Sequence, residues 1–240
     1  MSDDMDPFIV NEQRAWHSAE SLEYYRRHRR SVVDLYRSER FFLPDVLQQV
    51  GSMLDVGCAA GGFSAVVRAI NPAVRYVGVD VVPAFVESAR ADYPDAEFHV
   101  SDGVHFSTPP GSFDLVHSTG VLHVNARYEE MIRAMWDQTS RFLLCDLRLS
   151  RGEGQRGYIE SPFGERERVT VPYLVLNVDA AVALFTDLTP RPRSIRVRGY
   201  VHEATASAHL SDRAVLMAFF LVEKGGNVDR PIVDVDLNAA

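Results

Sequence analysis

The 240-residue chain carries only two cysteines, Cys58 and Cys145. That excludes a disulfide framework, and their separation offers no metal-ligand spacing, so both are read as reduced and structural. No apolar run reaches the length of a membrane-spanning helix, and the acidic opening MSDDMDPFIV lacks the basic start and apolar centre of a signal peptide. These absences predict a cytoplasmic protein with no membrane partner. Positive charge is short as well: a net charge of −8 leaves no basic surface for a phosphate backbone, which argues against nucleic acid as a partner. There is no internal repeat and no low-complexity segment. What remains, 46% hydrophobic and 24% charged, is ordinary globular composition, enough for one sizeable core and a small-molecule ligand.

The informative stretch is Ser52 to Ser64, SMLDVGCAAGGFS. Met53 to Val56 read as a buried strand entering a turn with Gly57, Gly61 and Gly62. Phe63, Val66, Val67 and Ile70 then recur at helical spacing until Pro72 stops them. A glycine turn lets a ligand approach the backbone closely, and the helix start aims its first N–H groups at that ligand. The expected tenant is nucleotide-like.

Upstream, Asn11 to Val50 read as helical, an N-terminal cap in which Arg26, Arg27, His28, Arg29 and Arg30 form the densest positive run. Such a run is either a solvated helix face or a lid that attracts an anion. Downstream come a second strand, Tyr76 to Val81, with Asp80 near its end, and a helix opened by Pro83. An acid there can accept both hydroxyls of a ribose. A third strand leads to Asp102 and Gly103, a fourth runs from Phe113 to His117 into Ser118, and a fifth is Arg141 to Leu147. Strands alternating with helices predict an α/β fold with a parallel sheet covered on both faces, whose ligands bind beyond the carboxyl ends of the strands. Residues 148–170 lack periodicity and read as a substrate-side loop. A helix near Asp179 to Leu188 and strands over 194–202 and 214–224 close the pattern, and residues 226–240 read as a peripheral tail.

These residues resemble the class I S-adenosylmethionine-dependent methyltransferases, in a small-molecule type. Asp55, Gly57 and Gly61 meet the family's D-x-G-x-x-x-G, while Asp80 and Asp102 match its acids at the ends of the second and third strands. The resemblance implies a Rossmann-like, seven-stranded, mostly parallel sheet with the last strand antiparallel, as the two-strand finish also suggests. It places the N-terminal cap at 1–50 and the methyltransferase domain at 51–225. The implied cofactor is S-adenosyl-L-methionine. Asp55, Gly57, Ala59 and Gly61 would serve its methionine part, Asp80 and Val81 the ribose, Asp102 and Gly103 the adenine, and Ser118 the region of the sulfonium. Asp55 can equally serve the turn itself, and Asp80 and Asp102 are also good helix caps. The family often has glycine where this chain has Ala59.

His123 is the candidate base, because many members have a histidine at this place and its ordinary pKa suits proton transfer near neutrality. A histidine that only shapes the loop is the alternative, and His117 is read as a strand residue with no role. Tyr25, Arg29, Tyr158, Glu160 and His202 are the substrate-binding candidates, and the arginines, among them Arg148, Arg151 and Arg156 in the loop, are either solvated or able to grip a carboxylate or phosphate on the acceptor. No metal is expected, since Ser118, Thr119 and Gly120 follow the fourth strand and the fifth offers only Asp146. The expected reaction is methylation of a polar or anionic small molecule, a natural product, carboxylic acid or sugar derivative, with O-methylation slightly ahead of C- or N-methylation. Dimerisation through the N-terminal helices is a further expectation. Two other readings stand beside it. One is a non-catalytic methyltransferase-like binding subunit. The other is an NAD(P)-dependent Rossmann oxidoreductase, against which stand the incomplete G-x-G-x-x-G and the want of a Tyr-x-x-x-Lys in a chain with one lysine, Lys224.

Overall fold

The computed structural model describes residues 14–161, 169–225 and 228–238. The helices α1 (Ala19–Arg27) and α2 (Arg37–Leu47) lie before β1 (Ser52–Val56). There follow α3 (Phe63–Ile70), β2 (Arg75–Asp80), α4 (Pro83–Asp92), β3 (Glu97–Val100), β4 (Phe113–Ser118), α5 (Tyr128–Gln138) and β5 (Thr139–Ser150). The second half holds β6 (Gln155–Glu160), β7 (Thr170–Asn177), α6 (Val178–Thr186), β8 (Ser194–Glu203), β9 (Ala208–His209), β10 (Ala214–Glu223) and β11 (Ile232–Asp236).

The main sheet runs β11-β8-β10-β5-β4-β1-β2-β3. β1 is parallel to β2 and β4, and β10 is antiparallel to both β5 and β8. The fold is therefore α/β and Rossmann-like, with the expected antiparallel strand, but the sheet among the described residues has 11 strands where seven were foreseen: one more lies on this path, and β6, β7 and β9 join it through the pairing of β7 with β5. The extra strand on the path is β11, which pairs with β8 in parallel and lies in the stretch read as a peripheral tail. Its Val-Asp alternation suits an edge strand, whose two faces need not both be buried.

The substrate-side loop foreseen at 148–170 is also different. β5 continues to Ser150, and β6 pairs with β7 antiparallel over Gln155↔Val175 to Glu160↔Thr170. Polar residues alternate with a few apolar ones in β6, so it buries little by itself, and a sequence window shows no apolar period there. The N-terminal cap is likewise not one helical stretch. The serines Ser18 and Ser21 cap α1 reciprocally, and extended backbone at His28 and a 3₁₀ turn over Val32–Asp34 separate it from α2.

Strand parity divides the core into two layers. Leu54, Val116, Leu143, Cys145 and Phe220 meet Met131, Ile132 and Trp136 of α5 and Phe185 of α6. On the opposite face Met53, Leu115, Leu144, Phe219 and Leu221 meet Phe42, Leu43 and Leu47 of α2 and Phe63 and Val67 of α3. Each large side chain so buried contributes roughly 1.5–3 kcal/mol. The central strands thus have no solvated face, as parallel crossovers require.

Gly78, opposite Asp55 in the β1–β2 register, allows the turn after β1 to lie against β2. A Cβ there would stand 2.7 Å from the Phe98 ring and 2.9 Å from Cys58 Cβ and Sγ. We expect Gly78→Ala to destabilise the protein by ~1–3 kcal/mol in urea unfolding through overpacking. An unchanged midpoint would mean that Phe98 and Cys58 yield freely and the close approach matters little.

Candidate active site

Beyond the carboxyl ends of β1, β2 and β4 lies a cavity of about 560 Å³, roofed by α1 and the segment that follows it. The turn after β1 forms its floor. The N–H groups of Gly57 and Cys58 both donate to Val79 O, at 2.8 and 3.0 Å, pinning the turn to β2. Gly57 sits at φ +83°, and a Cβ would stand 2.2 Å from Val121 Cγ2, so only glycine fits. Ala59 holds φ +47°, a left-handed conformation in which alanine is mildly strained. Its N–H donates to Asp80 Oδ2 at 2.9 Å, which helps hold it there. The residue at which the family pattern often has glycine is thus one that takes glycine-like backbone.

Asp80 is buried at the end of β2, and its other oxygen accepts the Val82 N–H at 2.9 Å. Burial pushes its carboxyl up to about 6, against the pull of those backbone N–H groups. Asp102 behaves oppositely. Its Oδ1 accepts the N–H groups of Val104 and His105, and its Oδ2 takes His105 Nδ1 and Arg127 Nη2, all within 3.0 Å. Burial opposes its charge, but these donors hold it down at about 2. With roughly four acceptor directions on a carboxylate, Asp102 is nearly saturated by its own chain, whereas Asp80 accepts the backbone N–H groups of Ala59 and Val82.

The polar centre of the wall is a buried chain of charges. The parity that puts Met53 and Leu115 in one core layer also puts Asp55 beside His117. His117 Nδ1 lies 2.7 Å from Asp55 Oδ1, and its Nε2 lies 3.1 Å from Glu39 Oε1 of α2. Tyr76 donates its hydroxyl to Asp55 Oδ2, and Arg29 Nη2 donates to Glu39 Oε1 at 2.6 Å. The Phe63 ring stacks on His117 at 4.6 Å, and the Arg29 guanidinium lies 4.9 Å over that ring. Burial disfavours charge on both Glu39 and His117. Arg29 and His117 nonetheless hold Glu39 down at about 2, and Asp55 and Glu39 lift His117 to about 9.

Of the residues singled out in the sequence, Asp55, Gly57, Ala59, Asp80, Val81, Asp102, Gly103, Tyr25, Arg29 and His123 line this cavity. Gly61 and Ser118 do not. Gly61 packs its backbone against Ala89 and Phe98, and the buried Ser118 hydroxyl donates to Val56 O at 2.9 Å, tying β4 to β1. Tyr158, Glu160 and His202 also lie off the wall. Strand alternation sends Ile159 into the cavity and its neighbours the other way, so Tyr158 stacks on His209 at 4.3 Å and Glu160 lies 3.9 Å from it. His123 is buried beside Tyr173, with ring centroids 5.0 Å apart, and its Nδ1 has no partner among the described residues. Burial first, then the nearby Arg148 and His202 charges, drop its pKa well below the ordinary histidine value, leaving a neutral ring that is a weak proton acceptor.

His117 and Glu39 were not foreseen as site residues, and Arg148 was foreseen only as one of several arginines able to grip an anionic acceptor, although all of them bear on this wall. The signal was present: a polar side chain at a buried parity of a fully covered strand must have a partner. What the sequence does not disclose is which element brings that partner.

Residues 53–142 match the profile of the methyltransferase domain family. The chain is 36% identical over 69 residues to a trans-aconitate 2-methyltransferase of Methylobacterium radiotolerans, covering 29% of this chain and 26% of that one. A second enzyme of that name, from an Enterobacter species, is 31% identical over 107 residues, covering 45% and 40%. The chain thus spans well under half the length of these curated relatives. Among solved structures, an S-adenosylmethionine-dependent methyltransferase from Methanosarcina mazei superposes at TM-score 0.55 with 17% identity, over 72% of this chain and 92% of that one. The N-terminal domain of EvdMO1, crystallised with S-adenosylhomocysteine and D-fucose, gives 0.57 with 14% identity, over 83% and 84%. The fold is that of these methyltransferases.

The charged chain sets an acid–base signature for stability. His117 is raised above its ordinary 6.5, so its contribution is complete below pH 6.5 and is lost as pH rises through about 9. Glu39 is depressed below its ordinary 4.5, so its contribution is complete above pH 4.5 and is lost as pH falls through about 2. We expect urea midpoints to decline from pH 7 to 9, and His117→Asn to flatten that decline while lowering stability near pH 6. Parallel declines in wild type and variant would show that the network carries no such charge.

Proposed function

We propose that the chain, whose residues 53–142 match the methyltransferase domain family, is an S-adenosylmethionine-dependent methyltransferase acting on a polar or anionic small molecule. The observation that carries this reading is Asp80: a buried carboxylate at the end of β2, held only 2.9 Å from the N–H of a turn that Gly57 and Ala59 bend into left-handed backbone. A cradle that admits no side chain at Gly57, with an acid at its rim, fits the ribose and amino-acid parts of such a cofactor.

In this reading the backbone of Gly57 and Ala59 takes the methionine part, and Asp80 with Val81 takes the ribose hydroxyls. Gly103 flanks the adenine, in a loop that Asp102 shapes through its own hydrogen bonds. Arg29, whose Nη1 has no hydrogen-bond partner among the described residues, is placed for the cofactor's carboxylate or an anionic acceptor. Burial, with Asp80 adding to it, pushes the Tyr25 phenol well above its ordinary value, so it stays a neutral group on the roof. The bound cofactor supplies an electrophilic methyl group on a sulfonium, and the chain's task is to hold an acceptor in line with it and away from water. A carboxylic acid is the favoured acceptor class, since the chain is similar over part of its length to trans-aconitate 2-methyltransferases. O-methylation follows from that class.

Calorimetric titration with S-adenosylhomocysteine tests the cofactor assignment. Binding should weaken as pH falls below about 6, where Asp80 takes up its proton, and Asp80→Ala should weaken it ~10-fold or more at pH 7.5. Tight binding of NADH with none of S-adenosylhomocysteine would sink the proposal. The acceptor is then found by incubating the protein with S-adenosylmethionine and a panel of small acids and sugars, read by mass spectrometry for the gain of one methyl group.

A further inference from the structure

Arg148 is the one guanidinium in the cavity wall that projects from the end of β5. It lies on the parity of Leu144 and Asp146 and so on the same sheet face as the charged chain. It is 6% exposed. Asp146, wholly buried, engages its Nη1 and is itself anchored by the Gly120 N–H at 2.6 Å. Arg148 Nε has no hydrogen-bond partner among the described residues. His123, on the same wall, presents the comparable feature at Nδ1. A buried donor left without an acceptor costs about 1–3 kcal/mol, so Arg148 Nε, like Arg29 Nη1 elsewhere on the wall, marks a place where an acceptor-bearing ligand would be held.

Resting on the methyltransferase reading above, we propose that the methylated group is a carboxylate, held beside His123 by the Arg148 guanidinium, and that its transfer uses no general base. A guanidinium fork matches a carboxylate in shape, and Asp146 fixes that fork from behind so that little is lost on ordering it. The surroundings agree. The titratable groups that bear on Arg148 are Asp146 on β5, Tyr36 before α2, Tyr173 on β7, Tyr200 and His202 on β8, and His123. Asp146 is the sole acid among them, and the cavity's other aspartates, Asp34, Asp55, Asp80 and Asp102, are not among the groups that bear on Arg148. Tyr36, Tyr173 and Tyr200 are all raised by burial above the ordinary phenol value and remain protonated.

The chemistry then balances without a proton acceptor. A carboxylic acid is already ionised at neutral pH. A lone pair of its oxygen forms the bond to the methyl carbon, the S–CH3 electron pair stays on sulfur and cancels the sulfonium charge, and the product is a methyl ester with no proton to remove. An alcohol acceptor would have to lose a proton, and the neutral, cation-flanked His123 is poorly suited to receive it. His123 is therefore a positioning residue.

The test uses the full chain saturated with S-adenosylhomocysteine, titrated calorimetrically with benzoate, malonate and trans-aconitate. At least one should bind, and Arg148→Lys, which keeps the charge beside Asp146 but removes the fork, should weaken it ~10-fold or more with S-adenosylhomocysteine affinity unchanged. With S-adenosylmethionine, the product of that acid should release methanol in alkali, and turnover of His123→Asn should stay level from about pH 6 to 8. Failure of all three acids to bind, equal binding by Arg148→Lys, or an alkali-stable product overturns the proposal. If Arg148→Lys also loses S-adenosylhomocysteine, the alkali lability of the wild-type product decides. Loss of S-adenosylhomocysteine binding by the wild type would instead strike the methyltransferase reading itself.

Discussion

The central strands are covered by helices on both faces, and that single constraint governs what every polar side chain on them can do. An ionised group in such a layer is tolerable only with partners, because its desolvation is far larger than any one contact recovers in water. Asp55, His117, Asp146 and Arg148 all lie on the α2–α3 side of the sheet, at or near the strands' carboxyl ends. Each is matched: His117 by Asp55 and Glu39, Arg148 by Asp146, and Asp55 by Tyr76 as well. The core layer that excludes water therefore passes, within one strand residue or two, into a set of fixed charges on a cavity wall.

The same constraint separates residues that look alike. Asp80 and Asp102 both end a strand, yet one is raised to about 6 by burial and the other held at about 2 by donors of its own loop. Their different saturation, more than their shared position, decides which has capacity for a ligand. The N-terminal segment is joined to this arrangement through Arg29 and Glu39, so the roof of the cavity and the glycine turn below it are linked by ion pairs and by the Phe63 ring between them. Fixing the roof by buried charge gives the cavity a defined shape without a large apolar contact area.

Much of this was legible before any coordinates. Alternation of apolar runs and helical stripes foretold the order of elements from β1 to β5, because buried parallel strands and amphipathic helices impose unmistakable periods. The glycine turn and the acid at Asp80 were readable because their spacing is local to one β-α-β unit. β6 and β11 were not, since they bury little and pair with segments well away in the chain, and β7, though buried, is placed only by its pairing with β5 and β6. The substrate candidates Tyr158 and Glu160 were placed in the right segment, but β6 directs Ile159 inward instead, a one-residue matter of strand phase. His117 was dismissed for want of a visible partner, which α2 supplies from 78 residues away.

By itself, then, the sequence determined the α/β architecture, the glycine turn after β1 and the acid that faces it, because each of these depends on residues a few positions apart. Only the tertiary structure decided which histidine is charged and which is neutral, and which arginines lie on the cavity wall with a donor to spare. Those properties are set by burial and by partners brought together from α2, β4, β5 and β7. A side chain's pKa and its unsatisfied hydrogen bonds belong to the neighbours that folding provides, and no window of sequence contains them.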